Sequence, residues 1–192
     1  MKVFLKTERL ILRQFTIDDV DNVFRLDSDP VVIRFGSGGN HPSFEHLKNE
    51  GLPKWIKYYE QYENYGIWAA VEKSSHDFIG WFHFYPAIEN KFGTELNIVN
   101  DGEIALGYRL LSASRGKGYA TEGSHMLVSK GFNEWDVQRV TSWALADNKA
   151  SIRVMEKVGL KFEKEFNFTE YQLPNLTASE RKAVKYGLNK DN

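Results

Sequence analysis

The chain has 192 residues, enough to bury one core without staples, and its 42% hydrophobic and 27% charged content is ordinary for a globular protein. A formal net charge of −1 excludes a global basic field that would draw the chain to nucleic acid or anionic lipid. The lack of cysteine excludes disulfides, thiolate nucleophiles and cysteine-based zinc or iron–sulfur sites.

The opening stretch, MKVFLKTERLILRQF, breaks its apolar positions with Lys6, Glu8 and Arg9, so it reads as a strand and not as an export signal. No apolar run approaches the roughly 18 residues of a membrane span. The expectation is a cytoplasmic chain with no membrane partner. Residues 8–15 form the first strand. Thr16 then precedes Ile17-Asp18-Asp19, an N-cap with acid in the first turn of a helix. Val20, Val23, Phe24 and Asp27 follow at helical spacing, and Asp29-Pro30 ends the helix. Residues 36–42, GSGGNHP, are a loop. A second helical region runs from Ser43 to about Asn64, broken near Gly51-Leu52-Pro53. Its Trp55, Tyr58, Tyr59 and Tyr62 are spaced as a buried stripe.

Strands are expected at 67–73 and 78–85, joined as a hairpin by Ser74-Ser75-His76-Asp77. A longer loop, 86–102, leads to a strand at 103–111. Helices at about 119–134 and 148–158 flank a strand at 139–146, and 183–190 is the last strand. The order is strand, two helices, three strands, helix, strand, helix, two strands. That describes a mixed α/β domain without internal repeats, spanning 1–192.

The stretch richest in chemistry is LLSASRGKGYATE, residues 110–122, where a strand turns into a helix. The first N–H groups of a helix lack internal partners and carry the positive end of its dipole, so an anion sits there naturally. Gly116 and Gly118 let an anion approach, and Arg115 and Lys117 add charge. The loop fails the Walker pattern, because Gly118 follows Lys117, and the dinucleotide pattern, because Thr121 holds the third glycine position. Taken alone, it fits a phosphate site and a plain helix start with a solvated basic pair equally well. A second segment, ADNKASIRVMEKVGL, residues 146–160, starts a helix near Asn148 and ends it at Gly159. Ile152, Met155 and Val158 form its apolar stripe.

Arg115-Gly116-Lys117-Gly118-Tyr119-Ala120 resembles the Arg/Gln-x-x-Gly-x-Gly/Ala motif of the GNAT superfamily of acetyltransferases. Asn148, Ser151 and Glu156-Lys157-Val158-Gly159-Leu160 resemble its second signature. Thr7-Glu8-Arg9-Leu10-Ile11-Leu12-Arg13 resembles the start of its ribosomal-protein N-terminal acetyltransferase branch. The resemblance covers nearly the whole chain. It implies one domain with a central, mostly antiparallel, splayed sheet flanked by helices, and acetyl-CoA as co-substrate without a metal.

The resemblance also assigns roles. The backbone of Arg115, Gly116, Lys117, Gly118, Tyr119 and Ala120 would hold the pyrophosphate, and Leu110 and Leu111 would offer backbone groups to the pantetheine arm. An N–H near Leu110 would polarise the thioester carbonyl. Asn148 would contact the pantetheine, although a plain helix N-cap explains it equally. Many members protonate the leaving thiolate with a tyrosine; Met155 stands there, and Ser151 matches the serine proposed for the role in the protein-acetylating branch. Glu103 is the candidate general base, weighed against a surface carboxylate, because the branch's usual glutamate position is Ala105. Glu122 is its rival, with a dipole-balancing role as the alternative. The histidines at 41, 46, 76, 83 and 125 show no metal-ligand spacing, and His83 reads as structural. The acceptor is a primary amine, on a protein N-terminus or a small molecule; nucleic acid is not expected, and a homodimer is an open expectation. A CoA-binding regulatory module without turnover is the alternative.

Overall fold

The computed structural model describes residues 2–36, 39–40 and 43–191. Of the loop expected at 36–42, Ser37, Gly38, His41 and Pro42 lie outside the described residues. The chain opens with a hairpin, not one strand: β1 (Val3–Lys6) pairs antiparallel with β2 (Leu10–Arg13). Thr7 makes the turn, its hydroxyl accepting from the Leu10 N–H at 2.9 Å. Leu10 and Leu12 alternate into the core.

A short 3-10 turn (Ile17–Asp19) leads into α1 (Val20–Asp27). The turn is capped by Thr16 and Asp19, whose carboxylate also accepts both ends of the buried Arg13 guanidinium at 2.6 and 2.7 Å. Val20, Val23 and Leu26 are the buried stripe of α1; Asp27 leaves it to pair with Arg109 at 2.5 Å. Pro30 starts a helix instead of only stopping one: α2 (Pro30–Gly36) begins there, and the Asp29 carboxylate caps the Val31 and Val32 N–H groups. The second helical region is α3 (Phe44–His46), a π-turn (Leu47–Gly51) and α4 (Leu52–Gln61), so the break expected near Pro53 is absorbed as one widened turn. The aromatic stripe of α4 is half-buried. Tyr59 bonds the Ile67 carbonyl, and Tyr58 and Tyr62 both donate to Glu89 at 2.7 Å.

The remaining strands are β3 (Gly66–Glu72), β4 (Phe78–Pro86), β5 (Glu103–Leu110), β6 (Arg139–Leu145), β7 (Lys161–Asn167) and β8 (Lys182–Asn189). The segment between β4 and β5 holds a 3-10 turn (Ala87–Glu89) and α5 (Lys91–Glu95). α6 (Tyr119–Glu134) follows β5, and α7 (Lys149–Val158) follows β6. The eight strands form one sheet in the order β1-β2-β3-β4-β5-β6-β8-β7. Every pairing is antiparallel except β5 with β6.

Strand alternation sends residues to two faces. Trp68, Phe82 and Phe84 pack with Leu127 and Met155 of α6 and α7 in the larger core. Ala69 and Trp81, one residue out of phase, pack with Val23, Leu26 and Leu52 of α1 and α4. Helices thus cover both faces of the sheet. Among the described residues, no helix is long and apolar enough to cross a membrane.

Candidate functional site

β5 has two neighbours for part of its length and one for the rest. Glu103, Ile104 and Ala105 pair in parallel with Arg139, Val140 and Thr141. Beyond Ala105 the pairing with β6 stops, whereas β4 follows β5 to Leu110. In an antiparallel ladder, successive N–H groups point to opposite sides. The Leu111 N–H donates back to Ile79 at 2.9 Å, so the N–H groups of Leu106, Tyr108 and Leu110 point into the gap.

A cleft of about 420 Å³ opens where the strands part, walled by the turn after β5, the start of α6, and α7. The turn holds two left-handed residues, Gly116 at φ +74° and Gly118 at φ +84°, a region that side chains rarely adopt. A Cβ at Gly116 would meet nothing within 4 Å, so this corner faces open space. Among the described residues the N–H groups of Gly116, Lys117 and Gly118 have no acceptor, and those of Tyr119, Ala120 and Thr121 open α6 without intrahelical partners. Arg115, Arg153 and Lys157 line the cleft together with Arg109, which Asp27 pairs, and no described acidic residue lines it. The cleft therefore joins unpaired amides, a helix dipole and four cations, which is the donor set that a diphosphate needs.

Neighbouring elements hold this corner in place. Arg9 donates to the Lys117 carbonyl at 2.9 Å and to Glu122 at 2.7 Å, and stacks over the Tyr119 ring. Glu122 also accepts from the Thr7 hydroxyl at 2.5 Å and the Arg9 N–H at 2.8 Å. It is an anchor between the first hairpin and α6. Burial alone would raise its pKa, but these hydrogen bonds hold it below the usual carboxylate range. Asp29 accepts the Ser112 N–H at 2.9 Å and hydroxyl at 2.7 Å, tying α2 to the far side of the turn. Its pKa is lowered too, the Ser112 bonds outweighing burial.

The site residues expected from sequence fall into three groups. Leu110, Arg115, Gly116, Gly118, Tyr119, Ala120, Asn148 and Ser151 all border the cleft. Asn148 is the N-cap of α7, its Oδ1 accepting the Ser151 N–H at 3.2 Å, and among the described residues its Nδ2 has no partner. Among the described residues the Ser151 hydroxyl has no hydrogen-bond partner, and the Ser151 carbonyl accepts the Tyr108 hydroxyl at 3.0 Å. Lys117 offers backbone only, because its side chain does not line the cleft. Leu111 does not border the cleft; its N–H is bound to Ile79, and its carbonyl already accepts the Ser114 N–H at 2.9 Å.

Glu103 stands apart. It lies at the opposite end of β5, is 2% exposed and borders neither hollow. Lys185 Nζ reaches its two oxygens at 3.0 and 2.9 Å, Arg139 Nε donates at 2.9 Å, and Asn100 adds two bonds at 3.2 Å. Burial raises its pKa, but these cations pull it below the usual range. A proton acceptor needs a free lone pair within reach of substrate. The geometry therefore does not support Glu103 as a base and makes it the centre of a buried ion network.

A second, smaller hollow of about 150 Å³ adjoins the cleft through Gly36, Tyr108, Arg109 and Ser151. Trp81 and His83 of β4 and Ser142 and Trp143 of β6 line it, together with Met155. His83 packs between Trp81 and Tyr85 and against Gly107, where a Cβ would sit 2.4 Å from the imidazole. Burial, with the Arg109 charge beside it, lowers the His83 pKa to about 3, so the ring is neutral at neutral pH. None of the α4 aromatics lines this hollow. Tyr108, Arg109 and the two tryptophans carry no motif. Their signal in sequence is the alternation of β4 and β5, which places residues on a common face without naming the gap. Among the described residues, no cluster of three or more His, Asp or Glu could hold a metal.

A family model for an acetyltransferase (GNAT) domain matches residues 9–161. YkkB of Bacillus subtilis strain 168 is 30% identical over 168 residues, covering 85% of this chain and 88% of that protein. The ribosomal L7/L12 alpha-N-protein acetyltransferase RimL, solved with coenzyme A, shares the fold with a TM-score of 0.75, at 15% identity and 98% coverage of both chains. The aminoglycoside acetyltransferase AAC(6′)-Ib, also solved with coenzyme A, shares it with a TM-score of 0.69, at 18% identity and 95% coverage of both. The splayed sheet, the cationic turn and the span of the matching model agree: the chain belongs to the GNAT family of acetyl-CoA-dependent N-acetyltransferases.

Proposed function

We propose that this chain moves the acetyl group of acetyl-CoA onto a primary amine by direct attack, with both substrates bound at once. The observation that carries the reading is that the two hollows adjoin at the β5–β6 gap, sharing Gly36, Tyr108, Arg109 and Ser151. The pyrophosphate sits on the amides of Gly116 to Ala120, with the Arg115, Arg153 and Lys157 charges around it. The pantetheine arm follows the free edge of β5, with the Asn148 Nδ2 as a side-chain donor. The Leu110 N–H, or its neighbour two residues earlier, polarises the thioester carbonyl. The amine enters through the smaller hollow and meets the thioester beside Ser151.

Attack forms the C–N bond and breaks the C–S bond, leaving a thiolate on CoA. The Ser151 hydroxyl lies at the junction of the two hollows and donates the proton to sulfur. The amine loses its proton to water, because His83 is too weakly basic to hold it and Glu103 is locked away. No thiol nucleophile is required.

RimL and AAC(6′)-Ib carry names with different acceptors, so the shared fold leaves the acceptor open. The test is release of free CoA thiol from acetyl-CoA with a panel of amines, alongside mass detection of the acetylated product. Thiol release matched one-to-one by N-acetyl product supports the reading. Tight acetyl-CoA binding with no thiol release from any amine would leave only a CoA-binding module.

A further inference from the structure

The smaller hollow says something about the acceptor that the net charge of the chain does not. Trp81, Trp143, Leu106 and Met155 give it apolar and aromatic walls, beside the polar His83, Asn90, Ser142 and Ser151. Among the described residues, the one charged residue in its lining is Arg109. That guanidinium is fixed by Asp27 at 2.5 Å and the Gly36 carbonyl at 3.0 Å, and stacks 5.0 Å over the Trp81 ring. Asp27 is thereby committed to the protein's own cation. No described acidic residue lines the hollow.

The Ser142 and Ser151 hydroxyls, Asn90 and the neutral His83 ring can each donate or accept, whereas Arg109 only donates. Its guanidinium has donor positions beyond those used by Asp27 and Gly36. An acceptor oxygen arriving with the ligand is therefore favoured beside it. A second ammonium group would find the reverse: no carboxylate to pair with, and a fixed positive charge close by.

Resting on the acetyltransferase reading, we propose that the acceptor is an α-amine on an apolar or aromatic body, with a carboxylate or carbonyl oxygen beside the amine and no second positive charge. Polyamines and aminoglycosides are thereby disfavoured. The same head group occurs on a free aromatic amino acid and on a peptide whose first residue is apolar. The spare donors of Arg109 take the oxygen, and the aromatic walls take the side chain.

The experiment measures kcat/KM for thiol release with three acceptors at saturating acetyl-CoA: phenylalanine, a tetrapeptide beginning with phenylalanine, and spermidine. The expected result is that at least one α-amine exceeds spermidine by tenfold or more; which one is faster tells free amino acid from peptide. Spermidine equal to or better than both overturns the acceptor assignment and leaves the acetyltransferase reading standing. Binding of acetyl-CoA without thiol release from any of the three, or from a wider amine panel, overturns both. A second arm uses Asn90→Asp, which puts a carboxylate on the wall of the hollow. Asn90 caps α5 by accepting the Gly93 N–H at 3.0 Å, and aspartate caps equally well. The variant should shift the spermidine-to-α-amine ratio upward by about tenfold. An unchanged ratio in a folded variant counts against the assignment.

Discussion

The two ends of β5 are built from one strand and serve opposite purposes. At the Glu103 end the strand has hydrogen-bonded neighbours on both sides, and its one carboxylate is held by two cations and an asparagine. At the Leu110 end it has lost β6, and its outward N–H groups face a cleft where Arg115, Arg153 and Lys157 have no described carboxylate partner. Charge is spent inward at one end and left available at the other. A functional strand can thus be read from where its pairing stops. The chemistry-bearing residues gather at the unpaired half, and the residue type most suggestive of catalysis, a buried glutamate, sits in the paired half.

Breaking the paired end should have the largest effect, and on stability. Glu103→Gln leaves Lys185, buried at 3% exposure, with only the Glu163 carboxylate at 3.6 Å in place of its pair at 2.9 Å, and should cost about 3 kcal/mol in denaturant unfolding. The rate per folded molecule should stay near that of the parent chain. A kcat loss of roughly 100-fold at unchanged stability would instead make Glu103 a base.

At the open end, Gly118→Asp brings a side chain to φ +84° and a negative charge to the anion site. It should weaken acetyl-CoA binding by about 100-fold, or about 2.7 kcal/mol. Isothermal titration checks this, with little change expected in the melting temperature beyond the strain of the substitution. Ser151→Ala should lower kcat by about tenfold while leaving acetyl-CoA affinity unchanged, because a thiolate is already a fair leaving group and needs limited help. Equal rates would remove the hydroxyl from the reaction.

The smallest and broadest effect is that of pH on stability. Burial alone would raise the carboxyls of Asp19, Asp29, Glu103 and Glu122, but the hydrogen bonds and ion pairs they accept hold all four below their ordinary values. A folded-state pKa below the unfolded one contributes stability that is present above the unfolded value, about 4, and is lost as pH falls through the folded value. Denaturation midpoints should be level, as far as these groups are concerned, from pH 7 to about 5.5 and fall steeply below about 4. A midpoint that rises on acidification would contradict the ion network.

Where chemistry is local, it was legible in the sequence. The turn glycines, the start of α6 and the capped helix from Asn148 to Gly159 depend on neighbouring residues, and their bounds agree with the structure. The hairpin of β3 and β4 was legible for the same reason. The misses are non-local or ambiguous. Pro30 ends one helix and starts the next, and only the second role shows once Asp29 is seen capping α2. β7 was given no bounds, because Lys161, Glu163, Lys164 and Glu165 put charge on both faces of an exposed edge strand. Glu103 is separated from Lys185 by 82 residues, so no local pattern could show its carboxylate already paired. The same holds for Tyr108, whose hydroxyl crosses the gap to a residue 43 positions on.

The most direct measurement is a backbone amide NMR titration of the chain with acetyl-CoA. The account predicts saturable shifts concentrated at Gly116, Gly118, Tyr119 and Ala120, extending to Leu110 and Ser151, with Glu103 and Lys185 unmoved. Saturable binding that leaves the Gly116–Ala120 amides in place, or that shifts the Glu103 end of β5 instead, would contradict it.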